Sequence, residues 1–176
     1  MSTESDREQE LIEKAVAARI SVPAQTAAQK RVAKINQRFF AKTDFFYLPD
    51  IPEFKTLDLH AFSDEKNLVA FNVNQIQDKD IMNINRHEIF HLCEKYDAYR
   101  AAKAILKKEI HRIYVQRFMQ HWKNCNEETI WDEITVEGLN GNFFDKTASY
   151  AKEVQKLGRI CLRERAKEWR ESGQSL

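Results

Sequence analysis

Apolar residues recur at spacings of three and four along most of the chain, which predicts a mostly α-helical protein. An N-terminal helix is expected within residues 1–22, because Val22 precedes a proline and such a residue avoids the α region. Further helices are expected over 24–42 and 143–172. The stretch 80–125 contains neither glycine nor proline and carries one apolar stripe, so it predicts one long central helix. Because such a helix would be roughly 60 Å long, either it breaks near Asp97 or Cys125 or the molecule is elongated.

A different pattern separates the second helix from the central one. Aromatic residues and prolines interleave between residues 43 and 54, which predicts an extended segment that cannot be helical. Residues 57–61 alternate between apolar and polar, and 68–73 form a short apolar run, so the two can pair as a small β-hairpin. We therefore expect a mostly α fold, a helical bundle built around one long central helix. It would form a single domain over 1–176, with 1–22 as a peripheral N-terminal helix.

Composition excludes several classes of function. The four glycines all lie between residues 138 and 173, so the glycine-rich phosphate loops of nucleotide-binding folds are ruled out. A formal net charge of +1 selects neither nucleic acid nor membrane as a partner for the whole chain, and no run of apolar residues is long enough for a membrane span. Three widely spaced cysteines and a polar N-terminus without a signal-like apolar run favour a cytoplasmic or other reducing intracellular compartment.

One motif in the chain carries chemistry. Residues 87–91 read His-Glu-Ile-Phe-His, and two imidazoles four residues apart on a helix face the same way and can share one Zn²⁺. This HExxH pattern resembles the zincin metallohydrolase motif, over five of the 176 residues. The resemblance implies that His87 and His91 are metal ligands and that Glu88 is the general base.

A third ligand is also needed for such a site. The zincin subgroup with a downstream glutamate implies Glu109, but an unbroken helix would place it roughly 27 Å from His91 along the axis. His60 and Asp58, in the preceding extended segment, are freer alternatives. A structural interpretation also remains open, since Asn85 and Glu88 have the spacing of a helix capping box.

Charge is divided into two adjoining blocks. Residues 95–123 carry a net charge of +6, and residues 126–145 carry −6 with no basic residue. The first block suggests nucleic-acid binding, because cations interleaved with aromatics can follow a phosphate backbone. The candidate residues are Lys103, Lys107, Lys108 and Arg112. In the alternative arrangement the acidic block folds back on the basic one, and each neutralises the other.

The sequence as a whole favours a non-catalytic role without a cofactor. We expect a helical interaction protein, or a small subunit of a larger protein or protein–nucleic acid assembly, that binds a protein partner or associates with itself. Exposed aromatics are typical anchors of such interfaces. The candidate partner-binding residues are Phe45, Phe46, Tyr47 and Phe54. The alternative function is a zinc-dependent metallohydrolase that uses the motif at 87–91.

Overall fold

The computed structural model describes residues 10–11, 13–14, 23–40, 44–48, 61–64, 68–72, 76–110, 115, 126–142 and 146–172. Long helices dominate these residues, as the periodicity predicts. The chain divides into two compact units, Met1–Glu88 and Ile89–Leu176. The expectation of a single domain stays a prediction, and most of the predicted N-terminal helix lies outside the described residues.

The first unit contains helix α1, Ala27–Phe39, which begins at a reciprocal capping box. The Thr26 hydroxyl accepts a hydrogen bond from the Gln29 backbone N–H at 3.1 Å, and the Gln29 side chain accepts one from the Thr26 backbone N–H. These two bonds satisfy backbone donors that a helix start leaves without partners. The cap therefore fixes the start of α1 three residues later than the predicted range.

A three-stranded sheet follows α1, with strands β1 (Asp44–Tyr47), β2 (Ala61–Asp64) and β3 (Leu68–Phe71) in the order β1-β3-β2. Strands β2 and β3 are antiparallel, in the region where the sequence suggests a small hairpin. Strand β1 pairs with β3 in parallel, so the aromatic segment is extended there. Tyr47 stacks on Phe71 with ring centroids 5.4 Å apart, and both residues are buried.

Helix α2, Ile81–His91, carries the HExxH motif in its last turns. Asn85 therefore lies inside the helix and does not cap its start, so the capping-box interpretation is wrong. Its side chain instead exchanges two hydrogen bonds with Asn36 of α1, at 2.8 and 3.0 Å. Both amides are buried. Each amide donates one hydrogen bond to the other and accepts one from it, so each finds a donor and an acceptor inside the protein.

The predicted long central helix is interrupted just before Asp97, one of the two places where the sequence left a break open, so a single continuous helix is not found in the residues the structure describes. Helix α2 ends at His91 and helix α3 covers Asp97–Glu109, with turns between them. Within the break the buried Cys93 thiol donates to the Ile89 carbonyl at 3.2 Å, and the Tyr96 hydroxyl donates to Glu168 at 2.8 Å. Side-chain packing and bonding in the folded chain thus outweigh a local sequence that has no helix breaker.

The second unit is built from α3, α4 (Glu127–Leu139) and α5 (Ser149–Ser172), each of which packs on the other two. Their buried faces share one hydrophobic core with the end of α2. Its members include Phe90, Tyr99, Leu106, Ile130, Trp131, Ile134 and Val154. Within the described part of the chain, no helix is both long and apolar enough to cross a bilayer.

Helix α5 passes close to the end of α4 at Gly158. A Cβ atom at this position would lie 2.5 Å from the carbonyl oxygen of Leu139, which is a backbone atom with little freedom to move. Only glycine allows this approach without displacement of one helix against the other. The glycine is therefore required by packing, although alanine would be the better helix former.

Gly158→Ala is expected to destabilise the protein. The gain in helix propensity is about 1 kcal/mol, whereas overpacking against a rigid neighbour costs about 1–3 kcal/mol. Urea unfolding followed by circular dichroism measures the net change. Glu153→Ala, at an exposed position of the same helix, is the control and should leave the midpoint nearly unchanged. A Gly158→Ala protein as stable as the parent would contradict the close approach.

Candidate metal centre

Two helices supply the side chains of the candidate site. His87 and His91 stand one turn apart at the end of α2, and Glu133 lies in the middle of α4. The boundary between the two units falls inside α2, after Glu88, and the helix is continuous from Ile81 to His91, so the spacing of the two histidines is set by one helix. All three side chains are half-buried, which leaves the group reachable from solvent while limiting competition from bulk water.

The three side chains converge on one point. One ligand atom from each of His87, His91 and Glu133 lies within 4.8 Å of the other two. The Nε2 atom of His91 is 3.3 Å from Oε1 of Glu133. Two donors bound tetrahedrally to zinc at 2.0–2.1 Å are about 3.3 Å apart, so this pair already has the separation of zinc ligands. Two histidines and one glutamate are also a known ligand set of catalytic zinc sites.

No family model, curated protein or solved structure matches this chain. The resemblance to zincins is therefore confined to the five residues of the motif. Any functional conclusion depends on how the structure places these residues and what surrounds them.

The two residues that flank His87, Arg86 and Glu88, are placed so that a metal ion could bind to the histidines. Glu88 is buried, with 7% of its surface exposed, and follows the first histidine directly. Arg86 could oppose a cation by charge repulsion, but its side chain is exposed and donates to Asn83, three residues earlier. The guanidinium thus has an acceptor of its own on the exposed surface of α2.

Helix α3 fixes the position of α4 next to Glu133. Lys103 donates to Asp132 at 2.6 Å and also to Glu128, and the Tyr99 hydroxyl donates to Asp132 at 3.2 Å. Asn126 caps the start of α4 by accepting from the Thr129 backbone N–H at 2.8 Å. Because Asp132 is held in this way, the backbone that presents the adjacent Glu133 is held as well.

The carboxylates of α4 near Glu133 shift the pKa values of two side chains of α3. Burial raises the pKa of the Tyr99 hydroxyl, and nearby carboxylates, Glu133 among them, raise it further. Burial lowers the pKa of Lys103, but hydrogen bonds to Asp132 and Glu128 more than offset this, and the net shift is upward. Both shifts show that the carboxylates of α4 lie close to Tyr99 and Lys103.

The third ligand is the residue that the sequence did not identify. Glu109 ends α3, is exposed, and does not join the histidines among the described groups that could hold a metal. His60 and Asp58 lie outside the described residues. One signal in the sequence could have pointed to α4: Asp132 and Glu133 interrupt an otherwise apolar run, and charged residues in such a run are rarely without a partner or function.

Of the four residues predicted to bind nucleic acid, two pair with carboxylates of the acidic block. Lys103 pairs with Glu128 and Asp132, and Lys107 pairs with Glu128 at 3.1 Å, so the acidic block contacts the basic block as the folded-back arrangement requires. Lys108 is exposed. Arg112 lies outside the described residues. A nucleic-acid role for these four residues stays a prediction.

The predicted partner-binding aromatics are described only in part. Phe45 and Phe46 lie in β1, but their side chains are outside the described set, and so is Phe54. Tyr47 is buried against Phe71, with 6% of its surface exposed. An interaction surface at this segment, and with it the non-catalytic role, stays a prediction.

Proposed function

We propose that the protein is a zinc-dependent metallohydrolase. In this proposal His87, His91 and Glu133 hold the metal and Glu88 serves as the general base. The single observation that supports it is the convergence of three ligand atoms within 4.8 Å, two from the HExxH motif and one from a helix remote in sequence. The motif requires such a third ligand, and the fold supplies one of the expected type.

The third side chain distinguishes this arrangement from an ordinary ion pair. An ion pair between His91 and Glu133 needs only those two residues. His87, presented by the same helix face one turn earlier, adds a further donor to the same point. A helix places residues four apart on one face, so the HExxH spacing delivers both imidazoles together once α2 is formed.

The ligands and the neighbouring glutamate divide the chemistry between them. His87, His91 and Glu133 would hold the zinc, which would supply a lowered pKa for bound water, about 7 in known zinc enzymes, and polarisation of a substrate carbonyl. Glu88 can take a proton from the attacking water and deliver it to the leaving group. The half-buried ligands limit the access of bulk solvent, which strengthens each electrostatic interaction in the site. Hydrolysis of an acyl bond, such as a peptide bond, fits these roles.

The proposed compartment is reducing. Cys93 and Cys161 are buried and free, and hydrogen bonding to Cys161 together with burial raises the pKa of the Cys93 thiol. A thiol with a raised pKa is a poor nucleophile and a poor metal ligand at neutral pH. Cys93 therefore fits a structural role and does not compete with the histidines for zinc.

Metal analysis of the protein purified without a histidine tag tests the proposal. About one zinc per chain is expected, and its removal by a chelator should lower the melting temperature, because a ligand that binds only the folded state stabilises it. Readdition of zinc should restore both the melting temperature and the hydrolysis of an unfolded peptide mixture. A protein with no zinc affinity at neutral pH would refute the metallohydrolase.

A further inference from the structure

Helix α5 carries a stripe of basic side chains along one exposed face. At 100° per residue the six positions fall within about 80° of the helix circumference, and they extend over about 27 Å of its axis. All six are exposed. The basic stripe consists of Lys152, Lys156, Arg159, Arg163, Lys167 and Arg170.

The charges of the basic stripe are almost unopposed. Lys167 pairs with Glu171 at 3.4 Å, and no other member forms an ion pair with any residue in the described ranges. The glutamates of α5 lie to one side of the stripe, and Glu168 is engaged by Lys95 and Tyr96. This differs from Lys103 and Lys107, whose charges are neutralised by α4. The unpaired positive charge of the described second unit is thus concentrated on α5.

We propose that the basic stripe binds the phosphate backbone of a nucleic-acid duplex. Successive cations are about 4.5–6 Å apart along the axis, and a duplex carries one phosphate charge per about 1.7 Å, so every member can lie near a phosphate. The six cations are evenly spaced along the helix, and even spacing suits a regular polyanion better than the irregular charges of an acidic protein surface. This inference does not depend on the metal centre.

Two features favour a duplex over other polyanions. Among the side chains that the structure describes, the exposed large apolar one, Met82, is not on α5, so no described side chain gives the stripe the exposed apolar flank with which surface helices enter a membrane. At 100° per residue no aromatic residue of α5 falls within the arc of the stripe, whereas proteins that bind single strands stack bases on aromatic side chains. The basic stripe would therefore recognise only the charge of the phosphate backbone, and its binding to a duplex should not depend on base sequence.

Fluorescence anisotropy with a labelled 30-base-pair DNA and the full chain tests this proposal. Six phosphate contacts predict that the affinity falls about 1,000-fold between 50 and 200 mM salt. Arg159→Gln with Arg163→Gln should weaken binding at least tenfold at 50 mM salt and reduce the salt slope by about 2. The matched control, Lys30→Gln with Lys34→Gln on α1, removes the same charge from two exposed positions and should bind like the parent.

Several results would overturn the proposal. They are affinity that is independent of salt, an equal loss in the control variant, and tighter binding to the single strand or to anionic vesicles than to the duplex. Effective competition by polyglutamate would also contradict it, because the stripe would then recognise any acidic chain. Circular dichroism of both double variants verifies the fold, and all four replaced side chains are exposed.

Discussion

Glu133→Gln is expected to remove zinc from the protein while leaving its fold intact. The amide retains the shape of the carboxylate but loses the charge, and a neutral oxygen is a much weaker ligand for Zn²⁺. Changes to residues that only support a ligand cost about 10–100-fold in metal affinity, so loss of a ligand should cost at least 100-fold. Competition with a chromophoric chelator measures this change.

Two other glutamates provide matched controls for this experiment. Glu109→Gln replaces the third ligand that the resemblance implied, at an exposed position, and should keep its zinc. Glu127→Gln removes a charge from the exposed first turn of the same helix as Glu133 and should also keep it. Zinc retained by Glu133→Gln, or lost from Glu109→Gln, would show that the third ligand has been assigned wrongly.

Periodicity predicted α1, α5 and the helical character of α2 and α3, because their apolar faces are what the core buries, but it predicted no helix where α4 lies. The stripes over 143–172 and in the central stretch correspond to α5 and to the buried faces of α2 and α3. Their ends were harder to predict. The start of α1 depends on side-chain capping by Thr26, and the break after His91 depends on bonds that Cys93 and Tyr96 form only in the folded chain. Such tertiary interactions leave no local pattern in the sequence.

The same break explains why the candidate site was only half predicted. Two ligands came from a local motif, since the i, i+4 spacing places both imidazoles on one helix face. The third required knowledge of which helix packs beside α2, and a straight central helix would have kept every downstream carboxylate far away. Lys103 and Asp132 join α3 to α4 through the two charge blocks, and that pairing brings the neighbouring Glu133 to His91. The two adjoining charge blocks predicted that the basic and acidic segments would contact each other, but not which residues of the two helices would face each other.

Glu88→Gln is expected to abolish hydrolysis without loss of zinc. A positioned general base contributes about 100- to 10,000-fold to a rate, and the amide cannot accept the proton that the carboxylate takes from water. The value of kcat/KM on an unfolded peptide mixture, followed by mass spectrometry, should fall by that factor. Zinc content and melting temperature should match those of the parent, because Glu88 is not among the three converging ligands.

Measuring kcat/KM together with zinc content and melting temperature separates a catalytic role of Glu88 from a structural one. Glu88 is buried, so a purely structural role would lower the melting temperature, and with it zinc content and activity together. A proton-transfer role lowers the rate alone, and Glu109→Gln, which removes an exposed carboxylate elsewhere, should lower neither. Full activity of the Glu88→Gln protein would assign the base to another residue. The converging ligands would then bind a metal without the HExxH glutamate taking part in the reaction.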